Sequence, residues 1–267
     1  MSESRIIDSR NMAMIRTRPD EDDRRVLLAI PVYNEVDHVD SVLAEVRRRI
    51  EDVLVIDDGS TDGTPQALAG HPVEVIRHAS NRGYGRSMQD MMRWAAFDGF
   101  DWLVTMDCDE QHEPAAIPRF IEAIERDDLD VVSGSRYLDP AGRVDAPPPD
   151  RRRINGILTE EINDRLGLRL TDAFCGFKAY RVSSLVDLDL DVDGYDFPMQ
   201  FWVQAVAAGL RVGEIPVRLI YNDPSRSFGG PLDDPENRLS VYRRTFDREL
   251  VRCGDRLPEP RPVEQGS

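Results

Sequence analysis

Four times between residues 26 and 126 a short apolar, β-branched run stops at a polar turn and gives way to a segment of helical spacing. VLLAIPVYNE breaks at Pro31 and Asn34, and VDHVDSVLAEVRRRI follows with Val39, Val42, Leu43, Val46 and Ile50 at helical spacing. DVLVIDDGSTDGT repeats the pattern, its strand leading to an acidic turn in which Thr61 or Asp62 can cap a helix. HPVEVIRH precedes GRSMQDMMRWAAFDG, DWLVTMDCDEQH precedes AAIPRFIEAIER, and DVVSGSRY supplies a fifth strand. Such alternation is the signature of parallel strands joined by helical crossovers. The expected fold is α/β, a central mostly parallel sheet flanked by helices.

Beyond residue 137 the rhythm changes. LDPAGRVDAPPPDRRR reads as a surface loop, RINGILTEEINDRLGL as a helix, and TDAFCGFKAYR as a turn with a short strand. FPMQFWVQAVAAGL is an apolar helix, RVGEIPVRLIY a strand and NDPSRSFGGPLDDPENR a loop. LSVYRRTFDREL closes the series, with Leu239, Tyr242, Phe246 and Leu250 on one helical face. The charged, aperiodic residues 1–24 form a loose arm, 25–235 one domain of two sequential halves (25–137 and 138–235), and 236–267 a terminal helix and tail.

Composition excludes several classes. Hydrophobic residues make up 40% of the 267, enough for a sizeable core. The longest apolar run, Val26–Tyr33, already contains Pro31 and falls far below the ~20 residues of a membrane span. The N-terminus lacks the apolar core of a signal peptide, so the expected location is cytoplasmic. Fifty acidic against 34 basic residues give a net charge of −16, which repels a nucleic-acid backbone. Of the 34 basic residues only Lys178 is lysine, leaving arginine forks as the local means of holding phosphate oxygens. Cys108, Cys175 and Cys253 are odd in number and form no CxxC pair, as expected of buried thiols in a reducing compartment.

The polar strand ends carry the chemistry. In an open parallel sheet ligands bind outside the carboxyl ends of the strands. Tyr33-Asn34-Glu35, Asp57-Asp58-Gly59-Ser60 and Asp107-Cys108-Asp109 all stand at such ends, so the parallel reading turns them into one crevice. Clustered carboxylates repel one another unless a cation or hydrogen-bond donors compensate. Hard oxygen ligands suit Mg²⁺ or Mn²⁺, which bridge protein carboxylates to substrate phosphates. NRGYGRS lacks the third glycine of a dinucleotide fingerprint, and neither a Walker lysine nor a GxSxG elbow occurs.

IPVYNE, VIDDGSTDGT, NRGYGRSM, MDCDEQHEP, VVSGSRY, TDAFCGFKAYR and GYDFPMQFWVQAVAAGLRVGEIPV, in this order and spacing across residues 25–230, resemble a family 2 glycosyltransferase of the GT-A fold, nearest to dolichol-phosphate mannosyltransferase-like enzymes. The resemblance implies a nucleotide-sugar half over 25–137 and an acceptor half over 138–235. Pro31, Tyr33, Glu35, Ile56, Asp58 and Asp107 would hold the nucleotide sugar, a GDP- or UDP-hexose. Asp107, Asp109 and Gln111 would organise the Mg²⁺ or Mn²⁺. Arg136, Arg151 and Asn155 would face an acceptor phosphate; Asn155 stands where that branch usually carries Ser.

The implied reaction is inverting transfer of a hexose to a polyprenyl phosphate by a peripheral protein at the inner membrane face. A phosphate acceptor is already ionised near pH 7, its second pKa being about 6, and needs mainly positioning. A hydroxyl acceptor, as in polysaccharide, glycolipid or small-glycoside synthesis, needs a general base. Asp172 is the candidate for it, with Asp196 second. A sugar-nucleotide pyrophosphorylase-like enzyme would show a Gly-rich basic loop after the first strand, which IPVYNE is not, and a non-catalytic nucleotide-sugar binder has no need of both DCD and TDAFCGF. Oligomeric state leaves no mark on the sequence.

Overall fold

The computed structural model of the chain describes residues 24–109, 113–138, 148–218, 220 and 230–258. The arm expected over 1–24 (Arg24 apart), Gln111, the middle of the Pro-rich loop and the end of the tail lie outside the described residues.

Seven strands form one sheet: β1 (Val26–Val32), β2 (Val53–Asp57), β3 (Glu74–Arg77), β4 (Trp102–Thr105), β5 (Val131–Ser135), β6 (Lys178–Arg181) and β7 (Val212–Pro216), in the spatial order β3-β2-β1-β4-β6-β5-β7. The pairs β1–β2, β1–β4, β2–β3 and β5–β7 are parallel. β6 alone is antiparallel, inserted between β4 and β5. The expected mostly parallel sheet is therefore present, with one reversed strand.

Among the described residues seven α-helices cover its faces: α1 (Val39–Val46), α2 (Thr64–Leu68), α3 (Tyr84–Phe97), α4 (Ile117–Glu125), α5 (Pro149–Leu166), α6 (Phe197–Ala207) and α7 (Pro235–Cys253). Successive strand side chains point to opposite faces. Leu28, Ile30 and Val32 accordingly pack with α1, α2 and α4, while Leu27 and Ala29 pack with α3, α5, α6 and α7. All five residues of β2 are buried, which demands helices on both sides. This is why the strands read as unbroken apolar runs.

Two helices start earlier than their periodicity predicts, and both matter for the site. α5 begins at Pro149, inside the segment expected to be loop, and ends at Gly167, whose φ of 72° forms the left-handed cap. A proline at the first helical position loses no hydrogen bond and has its φ already set, so the Pro-rich run leads into the helix. α7 starts at Pro235, where the Asp234 carboxylate accepts from the Asn237 N–H at 2.7 Å. β7 stops at Pro216, short of the strand expected to run to Tyr221. None of the described helices is long and apolar enough to cross a membrane.

Candidate active site

The carboxyl ends of β1, β2 and β4 open into a cavity of about 860 Å³. Its first wall is made by the turns after β1 and β2, which are laced together. Asn34 sits at φ 56°, a conformation Asn tolerates better than most side chains. Its N–H donates to Ser60 Oγ at 2.9 Å, and its Oδ1 accepts from the Thr61 N–H at 2.8 Å. The Glu35 N–H donates to Thr64 Oγ1 at 2.9 Å. Pro31, Tyr33 and Glu35 line the cavity, as does Asp58. Ile56 is not among the lining residues: its side chain is fully buried in the core on the α3 side.

Asp58 organises the neighbouring loop. Its carboxylate accepts from the backbone N–H of Arg82 and of Gly83, both at 2.8 Å, and lies 2.6 Å from His78 Nδ1. His78 Nε2 lies 3.0 Å from Asp90 Oδ2, tying the network to α3. The glycines of NRGYG are there for close approach. A Cβ on Gly83 (φ 102°) would stand 2.3 Å from the Asp193 carbonyl oxygen, and one on Gly85 2.1 Å from that of Val192. Tyr84, between them, stacks on Tyr195 with ring centroids 5.9 Å apart.

The second wall carries the DCD turn. Asp107 and Asp109 both line the cavity. A Cβ on Gly176 would come within 2.6 Å of Asp107 Oδ2, so the glycine leaves room for that carboxylate. The donor set is hard and anionic, as a divalent cation at a diphosphate requires. Among the described residues no three His, Cys, Asp or Glu side chains gather as a metal cluster, and Gln111 is outside them. Lys178, the single lysine, also lines this wall; its Nζ donates to the Cys175 carbonyl and lies 5.5 Å from the Trp202 ring centroid. Burial lowers its pKa, opposed by the Asp172 carboxylate.

The third wall gathers Arg136, Arg151 and Asn155. Arg151, Ile154 and Asn155 share one face of α5 at helical spacing and all reach the cavity. Asp172 lies behind them, fully buried and outside the lining. Arg136 donates to it from Nε at 2.6 Å and from Nη2 at 3.0 Å, and Asn155 donates from Nδ2 at 3.0 Å. The Phe174 N–H adds a bond at 3.2 Å. Burial would raise the Asp172 carboxyl, but the Arg136 charge and these hydrogen bonds outweigh it and hold the pKa at about 2. The carboxylate is thus already paired with Arg136 and Asn155, which weighs against the general-base role expected for it and in favour of an anchoring one. Asp196, the second candidate base, is likewise turned away from the lining and accepts from Thr245 Oγ1 at 2.5 Å.

Periodicity missed several supports. Glu214 of β7 accepts from the Thr171 N–H at 2.8 Å and the Asp172 N–H at 3.1 Å, fixing the TDAFCGF turn; burial raises its pKa. Arg238 and Tyr242 of α7 also line the cavity. Lys178 alone had left a signal, as the one lysine in an arginine-rich chain.

The carboxyl ends of this doubly covered α/β sheet thus bear acidic turns opposite an arginine wall, an arrangement that suits a group transferase. The family model described as "Glycosyl transferase family 2" matches residues 28–188, and the chain belongs to that family of glycosyltransferases. It is 35% identical over 215 residues to an undecaprenyl-phosphate mannosyltransferase of Micrococcus luteus, covering 76% of this chain and 86% of the relative. It is 32% identical over 205 residues to a polyprenol monophosphomannose synthase of Mycolicibacterium smegmatis, covering 73% and 77%. Among solved structures, mannosyl-3-phosphoglycerate synthase from Rubrobacter xylanophilus superposes with a TM-score of 0.67 at 18% identity, over 91% of this chain and 79% of that one. These superpositions establish the shared GT-A fold.

Proposed function

We propose that the protein transfers a hexose from a nucleotide diphosphate sugar to a polyprenyl phosphate, with inversion at the anomeric carbon. The observation that carries this reading is the third wall: two arginines and an amide converge on the cavity while the nearest carboxylate is held ionised behind them. Charge-assisted bonds from Arg forks suit a phosphate monoester. The names of the two similar relatives, both at or above 32% identity, favour the same acceptor and put mannose first among the sugars to test.

In this reading Pro31, Tyr33, Glu35 and Asp58 cradle the nucleoside of a GDP- or UDP-hexose beside the first wall. Asp107 and Asp109, with Gln111, would hold a divalent ion, Mg²⁺ or Mn²⁺. When bound, that ion would neutralise charge gathering on the departing diphosphate. Arg136 and Arg151 orient the acceptor so that one phosphate oxygen faces the anomeric carbon. That oxygen forms the new bond, the bond to the diphosphate breaks, and the nucleoside diphosphate leaves with the electron pair. Because the acceptor is a dianion near pH 7, no proton need be removed. A hydroxyl acceptor is poorly served, since Asp172 holds its proton only near pH 2. A polyprenyl phosphate resides in a membrane, so the protein would work as a peripheral enzyme on the cytoplasmic face.

The test is incubation with GDP-mannose, UDP-glucose or UDP-N-acetylglucosamine and Mn²⁺ or Mg²⁺, with undecaprenyl phosphate in detergent micelles. Label from one donor should appear in the lipid extract. Transfer to soluble sugars with none to the lipid phosphate would overturn the proposal.

A further inference from the structure

The family match ends at residue 188, yet α7 reaches back into the cavity. Arg238 is 3% exposed and lines the acceptor side. It donates from Nη1 to the Leu232 carbonyl at 2.9 Å and from Nη2 to Asp150 Oδ2 at 3.0 Å. Asp150 is the second residue of α5, directly before Arg151. One helical turn further, Tyr242 stacks on Phe174 with centroids 5.7 Å apart, and Phe174 is the residue whose N–H bonds Asp172. Exposed pairs reinforce the seam at Arg153–Glu236 (2.7 Å) and at Arg243–Glu161.

We propose that Arg238 is a positioning residue for acceptor recognition, holding the first turn of α5 through Asp150 so that Arg151 and Asn155 face the acceptor phosphate. The inference rests on the acceptor reading given above. The physical case is one of leverage. First-turn residues of a helix lack part of its internal hydrogen bonding and fray readily. This turn also follows a Pro-rich stretch, so its orientation depends on outside contacts. Arg238 supplies one that is bidentate between two segments, the 232 turn and α5. Its planar fork spans both acceptors, which a lysine ammonium on a flexible stem does less well. The donor side of the cavity, built on β1, β2 and β4, has no part in this contact.

The test uses the full chain with undecaprenyl phosphate in micelles and the donor that gives transfer. Asp150→Asn is the safe variant, since the Asp150 side chain is 42% exposed and its loss does not threaten the fold. Arg238→Met removes the other partner. Asp150→Asn is expected to raise the acceptor KM about three- to tenfold with kcat, donor KM and acceptor-independent donor hydrolysis unchanged, and Arg238→Met to raise the acceptor KM at least as much. The double variant should be no worse than Arg238→Met alone, and Arg238→Lys should recover part of the loss. Arg151→Ala serves as the reference. If it leaves the acceptor KM unmoved, the acceptor reading fails and this inference with it. If it raises the KM while Asp150→Asn is silent, only this inference fails. Multiplying effects in the double variant would also overturn it, showing that Arg238 does not act through Asp150.

Discussion

Asp172→Asn tests whether the buried carboxylate acts on Arg136 or on a proton. The Asp172 carboxylate accepts five hydrogen bonds: three from Arg136, one from Asn155 and one from Phe174. An amide supplies one oxygen acceptor and turns an NH₂ toward the remaining donors, leaving a guanidinium without its counter-charge. The carboxyl is depressed from its ordinary 3.8 to about 2, which at ~1.36 kcal/mol per unit is about 2.5 kcal/mol of stability. Because the folded-state value is the lower one, that stability is present above about pH 4 and is lost as pH falls toward 2. Breaking a buried pair from one side costs about 3–5 kcal/mol. We expect the lower end, about 3 kcal/mol, because Arg136 retains contact with the cavity. For a chain of this size that lowers Tm by roughly 6–12 °C.

The kinetic effect follows from the released arginine. A hydrogen bond to a charged group contributes about 1.5–3 kcal/mol, so losing the Arg136–phosphate contact should reduce acceptor kcat/KM about ten- to a hundredfold. Arg136→Ala should do the same. The decisive measurement is the double variant, assayed for transfer to polyprenyl phosphate below its Tm. If Asp172 acts by holding Arg136 and Asn155, the double variant loses much less than the product of the two single effects, the small remainder passing through Asn155. If Asp172→Asn costs its full factor in the Arg136→Ala background, the anchoring argument is refuted and a base role restored, for which a loss of about 10²–10⁴-fold is typical.

Asp109→Asn should abolish Mn²⁺-dependent binding of nucleoside diphosphate in calorimetry while thermal unfolding stays within a few degrees of the parent; undiminished binding would remove Asp109 from the metal site. Gly85→Ala forces a Cβ to within 2.1 Å of the Val192 carbonyl oxygen, so the 83–85 loop and the 192–194 turn must part. Equilibrium dialysis should then show at least tenfold weaker nucleoside diphosphate binding, and equal affinity would sink the idea that this contact shapes the donor pocket. Transfer to polyprenyl phosphate should fall below about pH 6 as the acceptor takes up its second proton. A phosphonate acceptor of higher pKa should move that limb upward, whereas a limb that stays put would belong to the protein.

Much of this architecture is legible in the sequence, for a physical reason. A strand covered on both faces must be apolar throughout, so β1, β2 and β4 stand out, and the polar residues where each stops must lie at the sheet's edge. Asp58, Asp107 and Asp109 could be placed in one crevice on that ground alone. Ile56 could not be excluded, because a buried strand gives no clue to which of its residues reaches the edge. Asp172 looked like a base because its type and motif fit one; its pairing with Arg136, 36 residues away, comes only from the folded chain. The start of α5 was hidden because prolines spell a loop to a periodicity argument and a helix start only when the next turn is known.

The reversed strand is what assembles the two halves of the site. Had β6 run parallel to its neighbours, the TDAFCGF turn that precedes it would lie at their amino ends, a sheet's width from the crevice. Antiparallel insertion sets Lys178, the first residue of β6, beside Thr105 at the end of β4 and beside Ser133 of β5. The turn before it therefore emerges at the carboxyl edge. Thr105 Oγ1 donates to the Gly176 carbonyl at 2.8 Å and fixes the turn there. From this one reversal Gly176 comes to rest against Asp107 on the donor side, and Asp172 comes to rest behind Arg136 on the acceptor side. Four residues apart in sequence, they hold the facing walls of a single cavity, so a shift of this turn should disturb donor and acceptor binding together.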